Sequence, residues 1–213
     1  MRILRAAEYP TQPWKNGGGL TREILKVPAE GVAFDWRLSL ATIEAPGPFS
    51  NFAGYTRTLV LVDGAGVHLD FGAHGSKVLR TAGELAVFDG AWSTNCTLLA
   101  GPSSDLNLMV AKAGARARAR VVSLTTADTV ATDGWEETLI CCIRGTLRID
   151  SEAGSGAILT KLDVTRCNPE DGPLTCRAGD SQPALMFVAS VRRAGTVAPE
   201  RSPRTGRPLN RAT

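Results

Sequence analysis

Histidine is nearly absent: His68 and His74 are the two in 213 residues. His68-x-Asp70 has the spacing that puts an imidazole and a carboxylate on one strand face, as a two-histidine, one-carboxylate metal site requires. The other histidine, His74, lies only four residues beyond Asp70, in a Gly-flanked stretch, so no distant strand supplies the missing ligand and no metal or other cofactor is expected. The same shortage leaves a serine or cysteine nucleophile without a base, and no G-x-S-x-G segment is present. The five cysteines are odd in number and form no C-x-x-C pair, which excludes a disulfide framework and fits reduced, structural thiols in a cytoplasm. Long apolar runs are also missing. None approaches the ~18 residues of a membrane span, and MRILRAAEYP does not read as a signal peptide, so neither membrane insertion nor secretion is expected. Gly17-Gly-Gly19 is followed by neither Lys-Ser/Thr nor a helix, so it is read as a flexible loop rather than a phosphate cradle. A basic stripe is absent too. The net charge of +3 reflects six arginines from Val191 onward against Glu200; the rest of the chain is slightly acidic, and nucleic acid is not an expected partner.

What the sequence has in quantity is short β-branched and apolar runs bounded by Gly, Pro, Asp and Asn. They predict strands at Leu20–Val27, Phe34–Thr42, Thr56–Val62, Gly66–Phe71, Lys77–Leu79, Glu84–Phe88, Thr94–Leu99 and Asp105–Ala111. The second half repeats the first at an offset near eighty residues. Thr58-Leu-Val-Leu-Val-Asp-Gly-Ala-Gly-Val-His-Leu-Asp70 matches Thr138-Leu-Ile-Cys-Cys-Ile-Arg-Gly-Thr-Leu-Arg-Ile-Asp150. Phe88-Asp-Gly90 then matches Pro169-Glu-Asp-Gly172, and Leu108-Met-Val110 matches Leu185-Met-Phe-Val188. The expected fold is therefore all-β: tandem cupin (RmlC-like jelly-roll) barrels, a bicupin. Residues 1–111 would form an N-terminal barrel with a pocket, 112–120 a crossover, 121–195 a second barrel and 196–213 a basic, disordered tail.

Unusual polar and aromatic words cluster before residue 110: Trp14-Lys-Asn-Gly-Gly-Gly-Leu-Thr-Arg-Glu23, Phe34-Asp-Trp-Arg-Leu-Ser-Leu40, Pro46-Gly-Pro-Phe-Ser50, Tyr55-Thr-Arg57 and Gly101-Pro-Ser-Ser-Asp-Leu-Asn-Leu-Met109. In order and wording they resemble the HutD/Ves family, over roughly residues 1–190. Ala53 stands where that family often has proline. The resemblance implies a bicupin with a pocket in its N-terminal unit, associated in part with histidine utilisation and in part with stress response. It implies no defined reaction.

Strand alternation supplies the chemistry. It places Asp35, Arg37, Ser39 and Ala41 on one face and Phe34, Trp36, Leu38 and Leu40 on the other, while Asp105, Asn107 and Met109 alternate with Leu106, Leu108 and Val110. Arg37 and Arg57 can both enter a barrel mouth, where a guanidinium fork matches a carboxylate. Lys15 and Asn16 lie on the glycine loop above. The candidate ligand-binding set is Lys15, Asn16, Arg22, Glu23, Trp36, Arg37, Ser39, Ser50, Tyr55, Arg57, Asp105 and Asn107. The expected partner is a small anionic metabolite of the urocanate or N-formylglutamate class, bound for regulation or sensing, with a homodimer left open. Two other functions compete with this one. A metal-independent enzyme would use Glu23, Asp105 or Tyr55 as acid or base, and deep burial of a carboxylate would favour it. A protein-interaction scaffold would be favoured by the absence of a pocket.

Overall fold

The computed structural model describes residues 1–180 and 182–195; the tail expected at 196–213 lies outside the described residues. Strand β1 (Arg2–Leu4) opens the chain. The first unit follows with β2 (Thr11–Pro13), β3 (Gly19–Val27), β4 (Trp36–Ile43), β5 (Gly47–Pro48) and β6 (Tyr55–Gly64). It continues through β7 (Val67–Asp70), β8 (Ser76–Leu79), β9 (Leu85–Asp89), β10 (Asn95–Leu98) and β11 (Ser103–Ala111). The second unit comprises β12 (Ala115–Leu124), β13 (Asp128–Val130), β14 (Glu137–Arg144), β15 (Leu147–Ser151), β16 (Gly156–Leu159), β17 (Val164–Cys167), β18 (Leu174–Ala178) and β19 (Ala184–Arg193).

Each unit is a pair of antiparallel sheets. In the first, the order β2-β3-β4-β11-β6-β9 faces β5-β10-β7-β8; in the second, β1-β17-β14-β19-β12 faces β13-β18-β15-β16. Moving eight strands along the chain converts β4-β11-β6-β9 into β12-β19-β14-β17 and the first four-stranded sheet into the second. The duplication is thus a property of the topology, and the architecture is the tandem cupin arrangement.

Three expectations change. Strand β12 begins at Ala115, inside the stretch read as a crossover, because Ala-Arg alternation there makes an edge strand paired with β19 over its whole length. Strand β1 pairs with β17, so the first residues belong to the second unit's sheet. The repeat also carries a different register. Both large sheets have a bulge, opposite Val62 between Ser104 and Asp105 and opposite Ile143 between Leu185 and Met186. Aligning the bulges offsets β6 and β14 by 81 residues, and sets Asp105 against Met186 and Met109 against Ser190 rather than Met186. The match by wording is one residue out in β14 and four out in β19, because apolar strand residues resemble one another on either face.

Three apolar clusters follow from the alternation. Trp36, Leu38, Leu40, Val60, Leu106 and Leu108 on the outer face of the first large sheet pack against Leu139, Cys141, Phe187, Ala189 and Val191 of the second. The units are joined back to back by this shared core. Inside the second barrel, Ile140, Cys142, Leu147, Ile149, Leu159, Cys167, Cys176 and Met186 fill the space. Cys141 and Cys142 therefore face opposite cores, as strand geometry requires. Inside the first barrel, Leu59, Leu61, Val67, Leu69, Leu79, Phe88 and Cys96 fill only the base.

Candidate functional site

Above that base the first barrel opens into a cavity of about 420 Å³, within the range of small-molecule sites. Its wall is one face of three adjacent strands, read in rows from the register. Met109 on β11 lies between Arg37 on β4 and Arg57 on β6; Asn107 lies between Ser39 and Leu59; Asp105 lies between Ala41 and Leu61. Cationic, polar and acidic groups thus follow one another down the wall.

Both arginines are held by aromatic rings rather than by carboxylates. The Arg37 guanidinium lies 5.4 Å from the Phe34 and Phe52 centroids, and that of Arg57 lies 5.1, 5.7 and 5.0 Å from Phe49, Phe52 and Phe88. Arg37 reaches the Met109 Sδ at 3.8 Å, and Arg57 donates a long 3.5 Å hydrogen bond to the Ser50 carbonyl. The Nε atoms of both are buried without a protein acceptor, and neither forms an ion pair among the described residues. Burial lowers both pKa values, that of Arg57 to about 10 despite the opposing pull of Asp105, and the neighbouring Arg37 lowers it further.

Asp105 is 1% exposed. Among the described residues, no group donates to either of its carboxylate oxygens, nor to the Asn107 Oδ1. Burial pushes the Asp105 carboxyl up to about 7, with Arg57 acting in the other direction. Arg57 is close enough to be felt by Asp105 yet makes no hydrogen bond to it.

The glycine loop forms the lip and is built rather than loose. Trp14 N–H donates to the Gly19 carbonyl at 2.9 Å, Gly17 N–H to the Trp14 carbonyl at 3.0 Å, and Gly18 N–H to the Asn16 Oδ1 at 3.1 Å. Gly17 has φ +69°, and a Cβ on Gly19 would stand 2.2 Å from the Thr42 carbonyl oxygen. The Trp14 indole N–H donates to Thr21 Oγ1 at 2.8 Å and its ring meets Phe49 edge to face. The expectation of mere loop flexibility is corrected: these glycines allow the loop to lie against β4.

Eight of the twelve expected residues line the cavity: Lys15, Asn16, Arg37, Ser39, Ser50, Arg57, Asp105 and Asn107. Four do not. Trp36 is fully buried between the units, where its indole N–H donates to Glu137 Oε2 at 3.3 Å, because the alternation that turns Arg37 inward turns Trp36 outward. Arg22 is on the opposite face of β3 from the lining residue Thr21, close enough to Tyr9 to affect its ionisation. Glu23, opposite Ser39, stands beside Arg37 and favours its charged form from outside the lining. Tyr55 stacks on Phe34 at 4.4 Å and accepts the Phe34 N–H at 3.3 Å, which supports the wall from behind. Asp35 also leaves the polar face: β4 starts after it, and it pairs with Arg193 at 2.7 Å. The lining residues missed include Gln12, Trp14, Phe49 and Phe52, all placed by irregular or very short segments that carry no periodic signal.

Among the described residues, no group of three or more His, Cys, Asp or Glu is placed to hold a metal ion. His68 is on the outer face of β7, between the buried Val67 and Leu69, and His74 stacks on Trp92 at 4.3 Å. Among the described residues, no helix is long and apolar enough to cross a membrane.

In the second unit the aligned positions read differently. Arg57 is replaced by Thr138, Asp105 by Met186 and Asn107 by Val188, so the acidic row has no counterpart there; Arg118 and Arg120 on β12 stand at the positions of Arg37 and Ser39.

Comparison with known proteins agrees with this architecture. An uncharacterised 21.2 kDa protein in the hutC 3′ region of Pseudomonas putida is 44% identical over 119 residues, 55% of this chain and 62% of that protein. Protein Ves of Escherichia fergusonii is 33% identical over 126 residues, 59% of this chain and 65% of that one. The matches thus reach less than two thirds of these relatives' own length. Among solved structures, a conserved protein of unknown function from Pseudomonas aeruginosa superposes with a TM-score of 0.81 at 31% identity, covering 89% of this chain and 97% of that one. HutD from Pseudomonas fluorescens gives 0.77 at 26% identity, covering 91% and 99%. An oxalate decarboxylase from Lactobacillus farciminis, at 8% identity and a TM-score of 0.64 with 88% and 85% covered, shares the fold. The HutD family model matches residues 6–186, and the chain belongs to the HutD family.

Proposed function

We propose that the first barrel binds a small carboxylated metabolite and that the protein acts as a ligand-binding regulator or sensor in the setting of histidine utilisation. One observation carries this reading: a buried Arg57 and a half-buried Arg37 share one cavity wall, each with a buried Nε that has no acceptor, and among the described residues neither forms an ion pair with a carboxylate. A buried, unpaired cation is costly, and an anion entering between Arg37 and Arg57 relieves both at once. The relative in the hutC region supports the metabolic setting. Urocanate and N-formylglutamate are the candidate ligands, each with a planar carboxylate for the arginine fork.

The test is isothermal titration with both compounds. Arg37→Ala is expected to weaken binding by about 1.5–3 kcal/mol, roughly ten- to a hundredfold. Arg37→Lys should also lose affinity, while Arg148→Ala, on an exposed position of β15, should change nothing. Absence of binding by the wild type at millimolar concentration removes this ligand class. A metal-independent enzyme is the second reading, favoured by Asp105, a deeply buried carboxyl with a pKa near neutrality. Conversion of either compound during incubation, followed by proton NMR and lost in Asp105→Asn, would decide for it.

A further inference from the structure

A carboxylate satisfies the arginines and leaves the floor of the same cavity unanswered. The oxygens of Asp105 and the Oδ1 of Asn107 are acceptors, and among the described residues no donor reaches any of the three. The side chains flanking Asp105 across the strands are Ala41 and Leu61, which have nothing to donate. Leu59 on one side of Asn107 is equally inert. A buried acceptor facing a cavity and lacking a donor is destabilising, and a ligand is selected according to whether it brings one. Donors without acceptors at the arginine row and acceptors without donors at the acidic row lie on one wall, a few residues apart along β11.

From this polarity we propose that the site reads two groups on one ligand: a carboxylate between Arg37 and Arg57, and an N–H a few bonds away that donates to Asp105 with Asn107 beside it. A simple carboxylate then fills half of the site, and above about pH 7, where Asp105 is ionised, an ester or ether oxygen in place of the N–H meets lone pairs with lone pairs. The inference rests on the anion-binding reading and adds to it the chemistry that separates one carboxylate from another.

Two isosteric probes isolate the second group. N-acetyl-β-alanine carries a carboxylate and an amide N–H; 3-acetoxypropanoate has the same length and charge with oxygen in place of N–H. Titration of the full chain should show the amide binding at least roughly tenfold more tightly, the discrimination expected when a polar group is left facing an unsuitable partner. In Asp105→Asn the ratio should fall to about threefold or less, since a carboxamide can turn either face to the ligand, while Arg37→Ala should weaken both probes in parallel. Asp105→Ser serves the same purpose should the asparagine variant not fold, and the wild-type ratio stands without any variant. Equal affinity of the wild type for the two probes, or an unchanged ratio in Asp105→Asn, overturns the two-group reading while Arg37→Ala still reports the anion site. Failure of the wild type to bind either probe at roughly 10 mM, or indifference of both to Arg37→Ala, removes the anion site and this inference with it.

Discussion

Asp105 shows what a single buried residue implies for the free protein. Its folded-state pKa of about 7 stands above the ordinary 3.8 because burial penalises the charge, and Arg57 only partly offsets that. A carboxyl with a raised folded pKa holds its proton in the folded state where the unfolded chain has released it, so its contribution to stability declines as pH rises between about 4 and 7. The melting temperature of the ligand-free protein should carry a component falling across that window, and Asp105→Asn should remove it. A variant whose profile parallels the wild type would place the titration elsewhere. This residue, with Arg37, Arg57, Ser39 and Asn107, was legible in the sequence because polar groups at alternate positions of apolar strands cannot all face a core. Trp36 was wrongly counted among the ligand residues, although the same alternation sends it outward with Leu38 and Leu40. The aromatic cages were not legible, because Phe49 and Phe52 are placed by Pro- and Gly-rich segments whose course depends on tertiary packing.

At the level of the element, the segment Trp14–Gly19 is the part of the site most exposed to a backbone argument. Gly19 lies on β3 against Thr42 of β4, and the 2.2 Å approach of a built Cβ to a main-chain carbonyl cannot be relieved by turning a side chain. Gly19→Ala should cost about 1–3 kcal/mol of stability through displacement of the strand, and should weaken ligand binding as Lys15 and Trp14 move with it. Gly47→Ala, where a Cβ has open space, is the comparison and should leave both measurements near wild type. A Gly19 variant with wild-type melting and affinity would show that the lip is loosely held. The glycine run itself was visible in the sequence, but its role was not: only the sheet brings Thr42 against it. The same holds for the tandem repeat, whose existence was legible in the shared Gly turns. Its register was not, because the two bulges are a pairing property and nothing in the wording of β6, β11, β14 or β19 marks them.

For the whole molecule, the shared core ties the fate of the two barrels together. Trp36, Leu38 and Leu108 of one unit and Leu139, Phe187 and Val191 of the other exclude solvent jointly, and Glu137, ion-paired with Arg166, accepts the Trp36 indole N–H. Removing Phe187, which is fully buried at this junction, should cost about 3–5 kcal/mol as Phe187→Ala and should lower a single unfolding transition rather than split it. A ligand in the first barrel extends the argument across the molecule. At a hundred times its dissociation constant it stabilises the folded state by about 2.7 kcal/mol, and if unfolding is cooperative that protection must appear in both units. Hydrogen exchange of the central β14 and β19 amides, which never touch the cavity, should therefore slow with N-acetyl-β-alanine present by the same free energy as β6 and β11. Protection confined to the first unit would mean that the barrels unfold separately and that the polar wall reports only on its own half. The loss of the acidic row from the second barrel, where Met186 and Val188 occupy the places of Asp105 and Asn107, then acquires a physical sense. One copy of the duplicated unit keeps an incompletely satisfied polar interior, and the other, packed with apolar side chains, supplies a stable partner against which that interior can be held open.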